Sequence, residues 1–293
     1  MKRAAMFRNL VIVELRKLSA RALLWVELSV LALLVGSMYV ALIATLQKGS
    51  ASTLPPQAVE SLRQMLYWPQ ALNDAMVLAG GGELGGMLAV ILVGAFMAQE
   101  YTWHTIHQQL SQGVSRSHFL LAKFVVVSMA LGLIVLTALL AGGVVTAVFT
   151  YLDLGIRSLR KPAMGTLLFN VLRICLTLLP YAALTSFLAV ASRSAMVAIG
   201  VGLGYSLLVE NLVIKTLSMI SPQIARAVRF LPAMLAQSIV QQVSPTVQVD
   251  VGLQTSSRLP LLGPNEAALM LTVYTVVFLV LAVWWFRRQD VTV

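Results

Sequence analysis

Apolar residues run along this chain in long blocks, broken by short stretches where charges and helix-breaking residues collect. A helix needs about 20 apolar residues to cross the hydrocarbon core of a bilayer. Six blocks supply that length, at about residues 23–46, 78–99, 119–150, 165–191, 195–217 and 267–286. Lipid offers no partner to a bare backbone amide, so the blocks predict closed helices and an all-α integral membrane fold with six transmembrane helices in a single domain over 1–293. Pro180, inside the fourth block, frees a backbone carbonyl and predicts a kink there.

Between the blocks the pattern changes. Residues 5–18 set Ala5, Leu10, Val11, Val13 and Leu15 among Arg8, Glu14, Arg16 and Lys17, which predicts an amphipathic helix lying on the inner membrane face. The outer region 218–266 repeats Ile224, Val228, Leu231 and Leu235 at helical spacing, bracketed by Pro222 and the turn-prone SPTVQVD stretch. It predicts one or two short interfacial or re-entrant helices followed by an irregular loop.

Composition agrees with a membrane solvent. The chain is 59% hydrophobic and only 11% charged, against roughly one-quarter charged in soluble domains. The net charge of +10 would suggest nucleic acid in a soluble protein, but basic residues that flank spans on the cytoplasmic side produce the same excess. No nucleic acid partner is expected. With the basic N-terminus inside, six crossings return the C-terminus to the cytoplasm, and basic residues are denser on the inner segments than on the outer ones. The outer cluster Arg157, Arg160 and Lys161 runs against that bias, whereas Trp284, Trp285 and Phe286 before Arg287 and Arg288 form a good interfacial anchor. The one cysteine, Cys175, lies in an apolar block, so no intrachain disulfide can form.

No P-loop occurs, so the chain is not expected to hydrolyse a nucleotide and is not an enzyme by itself. Gly200, Gly202 and Gly204 sit inside an apolar block and suit close helix packing. The glycines around Glu83 admit the same reading, and also a break in the second helix near its outer end.

The most informative stretch is AQEYTWHTIHQQLSQGVSRSHFLLAKF, residues 98–124. It resembles the permease subunits of ABC type-2 transporters: a Glu closing the second membrane helix, a short cytoplasmic helix with a Thr and apolar residues, a Ser-Arg pair, and a Lys opening the third helix. Those positions are Glu100, Thr105, Leu110, Ser115, Arg116 and Lys123, with Gly113 and Val114 completing GVSR; His104 stands where members often have Gly. The resemblance implies an exporter in the cell inner (plasma) membrane, with two permease chains, alike or sister, and two copies of a separate ATPase subunit. ATP and Mg would belong to that partner, and this chain would hold no cofactor.

The residues make the role physically plausible. A helix over about 100–113 would present Tyr101, Trp103, Ile106 and Leu110 as apolar contacts, and His104, His107 and Gln108 as polar ones, to a groove in a partner protein. The same helix could instead only anchor the loop at the interface. Glu100, His104 and His107 share a helical face, but no fourth ligand is evident and no metal site is expected.

Two charges lie deeper. Arg173 and Glu210 both fall roughly 10 to 14 Å below the outer surface at about 1.5 Å per residue. Such residues face a partner or a wet cavity. They form a candidate ion pair, with Asn170 or Asn211 beside it, that either lines the translocation route or only locks two helices. Glu27, near the inner end of the first block, is expected to reach the interface.

A membrane-embedded enzyme should place several acidic or histidine residues in different spans, and this chain has almost none. A membrane anchor or sensor subunit that recruits a cytoplasmic protein through the same loop, without moving cargo, stays open. The few polar side chains in the blocks favour a hydrophobic or amphiphilic cargo over a sugar chain.

Overall fold

A computed structural model describes residues 2–47, 56–81, 84–102, 115–155, 162–210, 227–244 and 261–289; the side chains of 2–5, 56–58, 61 and 100–102 lie outside the description. Among the described residues all regular structure is helical. The helices are α1 (Lys2–Ser19), α2 (Ala22–Gln47), α3 (Pro56–Leu66), α4 (Gln70–Leu78), α5 (Leu84–Thr102), α6 (Arg116–Leu154), α7 (Met164–Ser192), α8 (Ala195–Gly204), α9 (Pro232–Val243) and α10 (Pro264–Arg288). The chain of α8 continues as a π-helical turn, Tyr205–Glu210. Four helices, α2, α6, α7 and α10, are long and apolar enough to cross a membrane, and Leu84–Gln99 and Ala195–Glu210 are shorter apolar helices.

Local chemistry sets the boundaries. Ser115 and Ser194 cap α6 and α8, each side-chain oxygen accepting from the backbone amide three residues on. Gly155 (φ 78°) ends α6, and Arg193 (φ 56°) ends α7 in a left-handed conformation. Pro232 and Pro264 open α9 and α10, where the missing N–H costs nothing.

The structure corrects several sequence expectations. The second block does not begin as one helix at residue 78: α4 stops at Leu78, the chain turns through Ala79–Gly81, and α5 starts at Leu84. Gly81 is pressed onto the backbone carbonyl of Thr177, leaving no room for a Cβ, and its N–H donates to Thr177 Oγ1 at 2.8 Å. The third helix is longer than its block. Its 39 residues span about 58 Å at 1.5 Å per residue, well beyond a hydrocarbon core of about 30 Å. Pro180 lies inside α7, which runs on as a helix from Met164 to Ser192. In the outer region α9 is a short helix as expected, and Leu231 before it is extended, so Val228 and Leu231 do not share that helix with Leu235; Ile224 lies outside the described residues. Helices α3 and α4 have no counterpart among the predicted elements. Residues 211–217, the end of the fifth block, lie outside the described residues.

Helix α7 is the centre of the bundle, packing on α10, α5, α6, α8 and α9. Its apolar window is 61% buried, against 22% for α2 and for α10. The core runs through Leu31 and Val35 of α2, Leu92 and Phe96 of α5, Leu131 and Ile134 of α6, and Ile174 and Leu178 of α7. The exterior is apolar as well: Leu33, Leu140, Val144, Leu168, Leu172, Val201, Leu208, Val273 and Val280 are all exposed. Apolar residues on both the packed and the unpacked faces are what a lipid solvent permits and water does not.

Two ends can be told apart by their contacts. At the first, α1 meets the start of α6, where the ends of α7 and α10 also arrive. At the second, Tyr67, which follows α3, donates to Asp153 near the end of α6 at 2.6 Å, and Asn170 near the start of α7 donates to Asn73 of α4 at 3.1 Å.

Candidate functional site

The predicted docking loop joins α5 to α6. Glu100 and Tyr101 lie in the last turn of α5, although their side chains are outside the description, and Trp103, His104, Thr105, His107 and Leu110 lie outside the described residues. What the structure describes is the frame that holds both ends of this loop.

Lys123 is the buried centre of that frame. Its side chain is 2% exposed, and its ammonium lies 3.2 Å from Glu14, whose carboxylate also pairs with Lys17 at 2.7 Å. The same ammonium donates to the Phe96 carbonyl at 3.3 Å and sits 4.2 Å from the centre of the Phe96 ring. One cation thus joins α1, α5 and α6, and Arg21 stacks on the same ring at 5.0 Å. Helix α1 is thus packed onto the bundle as well as amphipathic. Glu14 and Leu18 are buried against the bundle, while Met6, Ile12, Val13 and Leu15 face outward.

Arg116 lies at the same end of the bundle as Lys123. The Arg116 guanidinium lies along the bundle end. It donates to the carbonyls of Phe286 and Arg287 at 3.4 Å each and of Gln289 at 2.6 Å, at the C-terminus of α10. Arg287 Nε donates to Ser117 Oγ at 2.9 Å, and Gln289 Nε2 donates to the Val190 carbonyl at 2.7 Å. Phe119 and Phe286 pack beneath, with ring centres 6.3 Å apart. His118 stays at the surface, edge-on to Phe7.

The structure does not bring Arg173 and Glu210 together. Arg173 lies over the Phe169 ring one turn away, at 4.2 Å. Glu210 is 1% exposed and accepts from the Tyr181 hydroxyl at 2.7 Å, so a phenol of α7 stands where the guanidinium was expected. Glu210 thus meets α7 at Tyr181, eight residues beyond Arg173 and about 12 Å further along the helix axis at 1.5 Å per residue. Asn170 bonds Asn73 rather than either charge, and Asn211 lies outside the described residues.

Sequence reasoning missed two features. Glu27 does not reach an interface: it faces inward between Leu24 and Leu31, with no hydrogen-bond partner on either carboxylate oxygen. Its spacing of three and four from those leucines was the available signal. At the second end, the Ser244 hydroxyl donates to the buried Asp74 carboxylate, tying the segment after α9 to α4. Tyr67, outside the long helices, has its hydroxyl pKa raised, chiefly by the hydrogen bond to Asp153. A cavity of about 460 Å³ opens between α2 and α6, lined by Val40, Ile43, Val144 and Val148 with Gln47 and Asp153 at its rim. None of the predicted site residues lines it.

A family model described as "Protein of unknown function (DUF2705)" matches residues 75–292. The chain belongs to the DUF2705 family. No curated protein matches it. The DUF2705 match begins within α4 and covers Lys123, Arg116, Arg173 and Glu210, whereas Glu14 and Glu27 precede it.

Proposed function

We propose that the protein is a permease subunit of an ATP-driven ABC exporter, embedded in the cell inner membrane and paired with a second permease chain and a separate ATPase. In this reading α5 and α8 cross the bilayer alongside the four long helices, giving six spans. The end that carries α1, Arg287 and Arg288 faces the cytoplasm, as the concentration of basic residues there requires. Residues 103–114 form the cytoplasmic element that seats in the ATPase.

The observation that carries the reading is the frame of that loop. Residues of the resembling motif, Ser115, Arg116 and Lys123, are fixed at one end of an apolar bundle: Ser115 caps α6, Arg116 holds α10, and Lys123 ties α1 to α5. A loop so framed is held by rigid elements on both sides, as a part that transmits motion must be. A hydrophobic or amphiphilic cargo suits blocks that carry so few polar side chains.

The test is co-purification with the ATPase encoded beside this chain. The wild-type complex should hydrolyse ATP, and the double change Trp103→Ala with Leu110→Ala should lower the amount of ATPase recovered at least about tenfold, a loss of about 1.4 kcal/mol or more at a buried aromatic anchor. Recovery of a non-ATPase partner through the same loop would replace this reading with the anchor or sensor role.

A further inference from the structure

Helices α2 and α6 meet where Gly142 lets the Tyr39 ring approach; a Cβ on Gly142 would lie 3.0 Å from that ring. Beyond this contact, toward the second end, they leave between them the cavity of about 460 Å³, a size within the roughly 300 to 1,000 Å³ of ligand sites. Its walls are largely aliphatic, and along α6 it runs from Val144 to Asp153, about 13 Å at 1.5 Å per residue. Val40, Val144 and Val148 are each more than half exposed on the outer surface, so the cavity is a groove open to the bilayer. Both helices end at its rim, α2 at Gln47 and α6 one residue past Asp153. Two helix C-termini thus bring unpaired carbonyls and the negative ends of two dipoles together. Neither last turn holds a basic residue, and α6 adds the exposed carboxylate of Asp153. Tyr67 fixes that carboxylate by donating to one oxygen at 2.6 Å, and its ring lies 5.9 Å from Phe149, the aromatic part of the wall. A carboxylate offers about four acceptor sites, so the bond from Tyr67 leaves others for a further donor.

We propose that this groove binds a membrane phospholipid whose head carries a primary ammonium group, with an acyl chain between α2 and α6 and the ammonium on Asp153. The aliphatic wall accepts any chain, and the rim selects the head. A cation there gains from Asp153 and from both helix ends, which repel a head without one. An ammonium with three N–H donors bonds the carboxylate and the terminal carbonyls together, whereas a trimethylated head of equal charge has no donor to offer. Arg63, four residues before Tyr67 and close enough to act on its hydroxyl, supplies a cation for the phosphate of the same head. The depth agrees, because Gln47 closes the apolar run of α2 and so stands where polar heads begin. The site requires only that the chain lie in a bilayer, and it does not rest on the permease reading.

The experiment incubates the full chain, stripped of lipid in mild detergent, with equal amounts of phosphatidylethanolamine, phosphatidylcholine and phosphatidylglycerol bearing the same chains. Native mass spectrometry counts what stays bound. The wild type should retain one phosphatidylethanolamine over either other lipid by about fivefold, the equivalent of about 1 kcal/mol for an exposed charge pair. Asp153→Asn should erase that preference. Val148→Trp, which fills the groove with an indole, should lower retention of all three lipids, and Val280→Trp on the exposed face of α10 should not. Val144→Trp makes the same block if Val148→Trp does not fold. Equal retention of the three heads by the wild type, an unchanged preference in Asp153→Asn, or wild-type retention in the groove-filling variant each overturns the site. No ATPase enters the measurement, so its outcome is separate from that of the permease reading.

Discussion

Lys123 shows what a single charge does when it is removed from water. A buried ammonium is costly unless paired, and here Glu14, the Phe96 carbonyl and the Phe96 ring share the work. Breaking such a pair on one side leaves an uncompensated charge. Glu14→Ala should therefore destabilise the protein by about 3 to 5 kcal/mol, whereas Glu14→Leu with Lys123→Met should be near neutral. Thermal unfolding in detergent, followed for both variants, checks this; equal losses would mean that the pair contributes shape rather than charge balance. At this scale the sequence was a partial guide. It marked Lys123 as a basic residue at the start of a helix, but placing Glu14 against it required α1 to fold down onto α6, a contact between residues more than a hundred positions apart. Arg173 and Glu210 failed in the opposite sense. Counting residues along each block did not show how far α8 is shifted along α7, and Tyr181, eight residues beyond Arg173, holds Glu210 instead.

At the scale of helices, close approach decides which small residues matter. Gly200, Gly202 and Gly204 are alike in sequence, yet only Gly202 faces a neighbour: a Cβ there would meet Val90 Cγ1 at 2.7 Å and Thr185 Oγ1 at 3.2 Å, while the other two open onto space. Gly202→Val should cost about 1 to 3 kcal/mol by forcing α8 away from α5 and α7, and Gly200→Val should leave the melting temperature unchanged. The paired melting curves distinguish a packing contact from a general need for glycine. Element existence was readable from the apolar blocks, and four of them became helices within a few residues of the expected ends, the third being longer. The glycines around Glu83 admitted the break before α5, but not the contact that sets it. Gly81 presses on the Thr177 carbonyl from a helix almost a hundred residues away, and no local pattern encodes that pressure.

Among the described residues the molecule is a helical bundle that exposes many large apolar side chains, with a basic, tightly tied end and a second end built from α3, α4 and α9. The ties at the first end set its topology. Because Arg116 at the start of α6 bonds carbonyls at the end of α10, both must lie on one side of any membrane the chain crosses. With Cys175 replaced by Ala, single cysteines at Ser19 and Arg288 should react with an impermeant maleimide only from the cytoplasmic side, and one at Arg63 only from the opposite side. Labelling of Arg63 and Arg288 from the same face would refute the six-span topology.

The sequence by itself determined that the chain is helical, that its long helices suit lipid, and which end carries the basic residues. These follow from solvent and backbone chemistry, which act on each segment separately. Only the tertiary structure decided which charges meet: Glu14 with Lys123, Arg116 with the end of α10, Tyr181 rather than Arg173 with Glu210. The reason is geometric. Hydrophobic blocks mark where helices form, but a residue's partner depends on the shift, rotation and neighbours of whole helices, which packing against α7 fixes collectively.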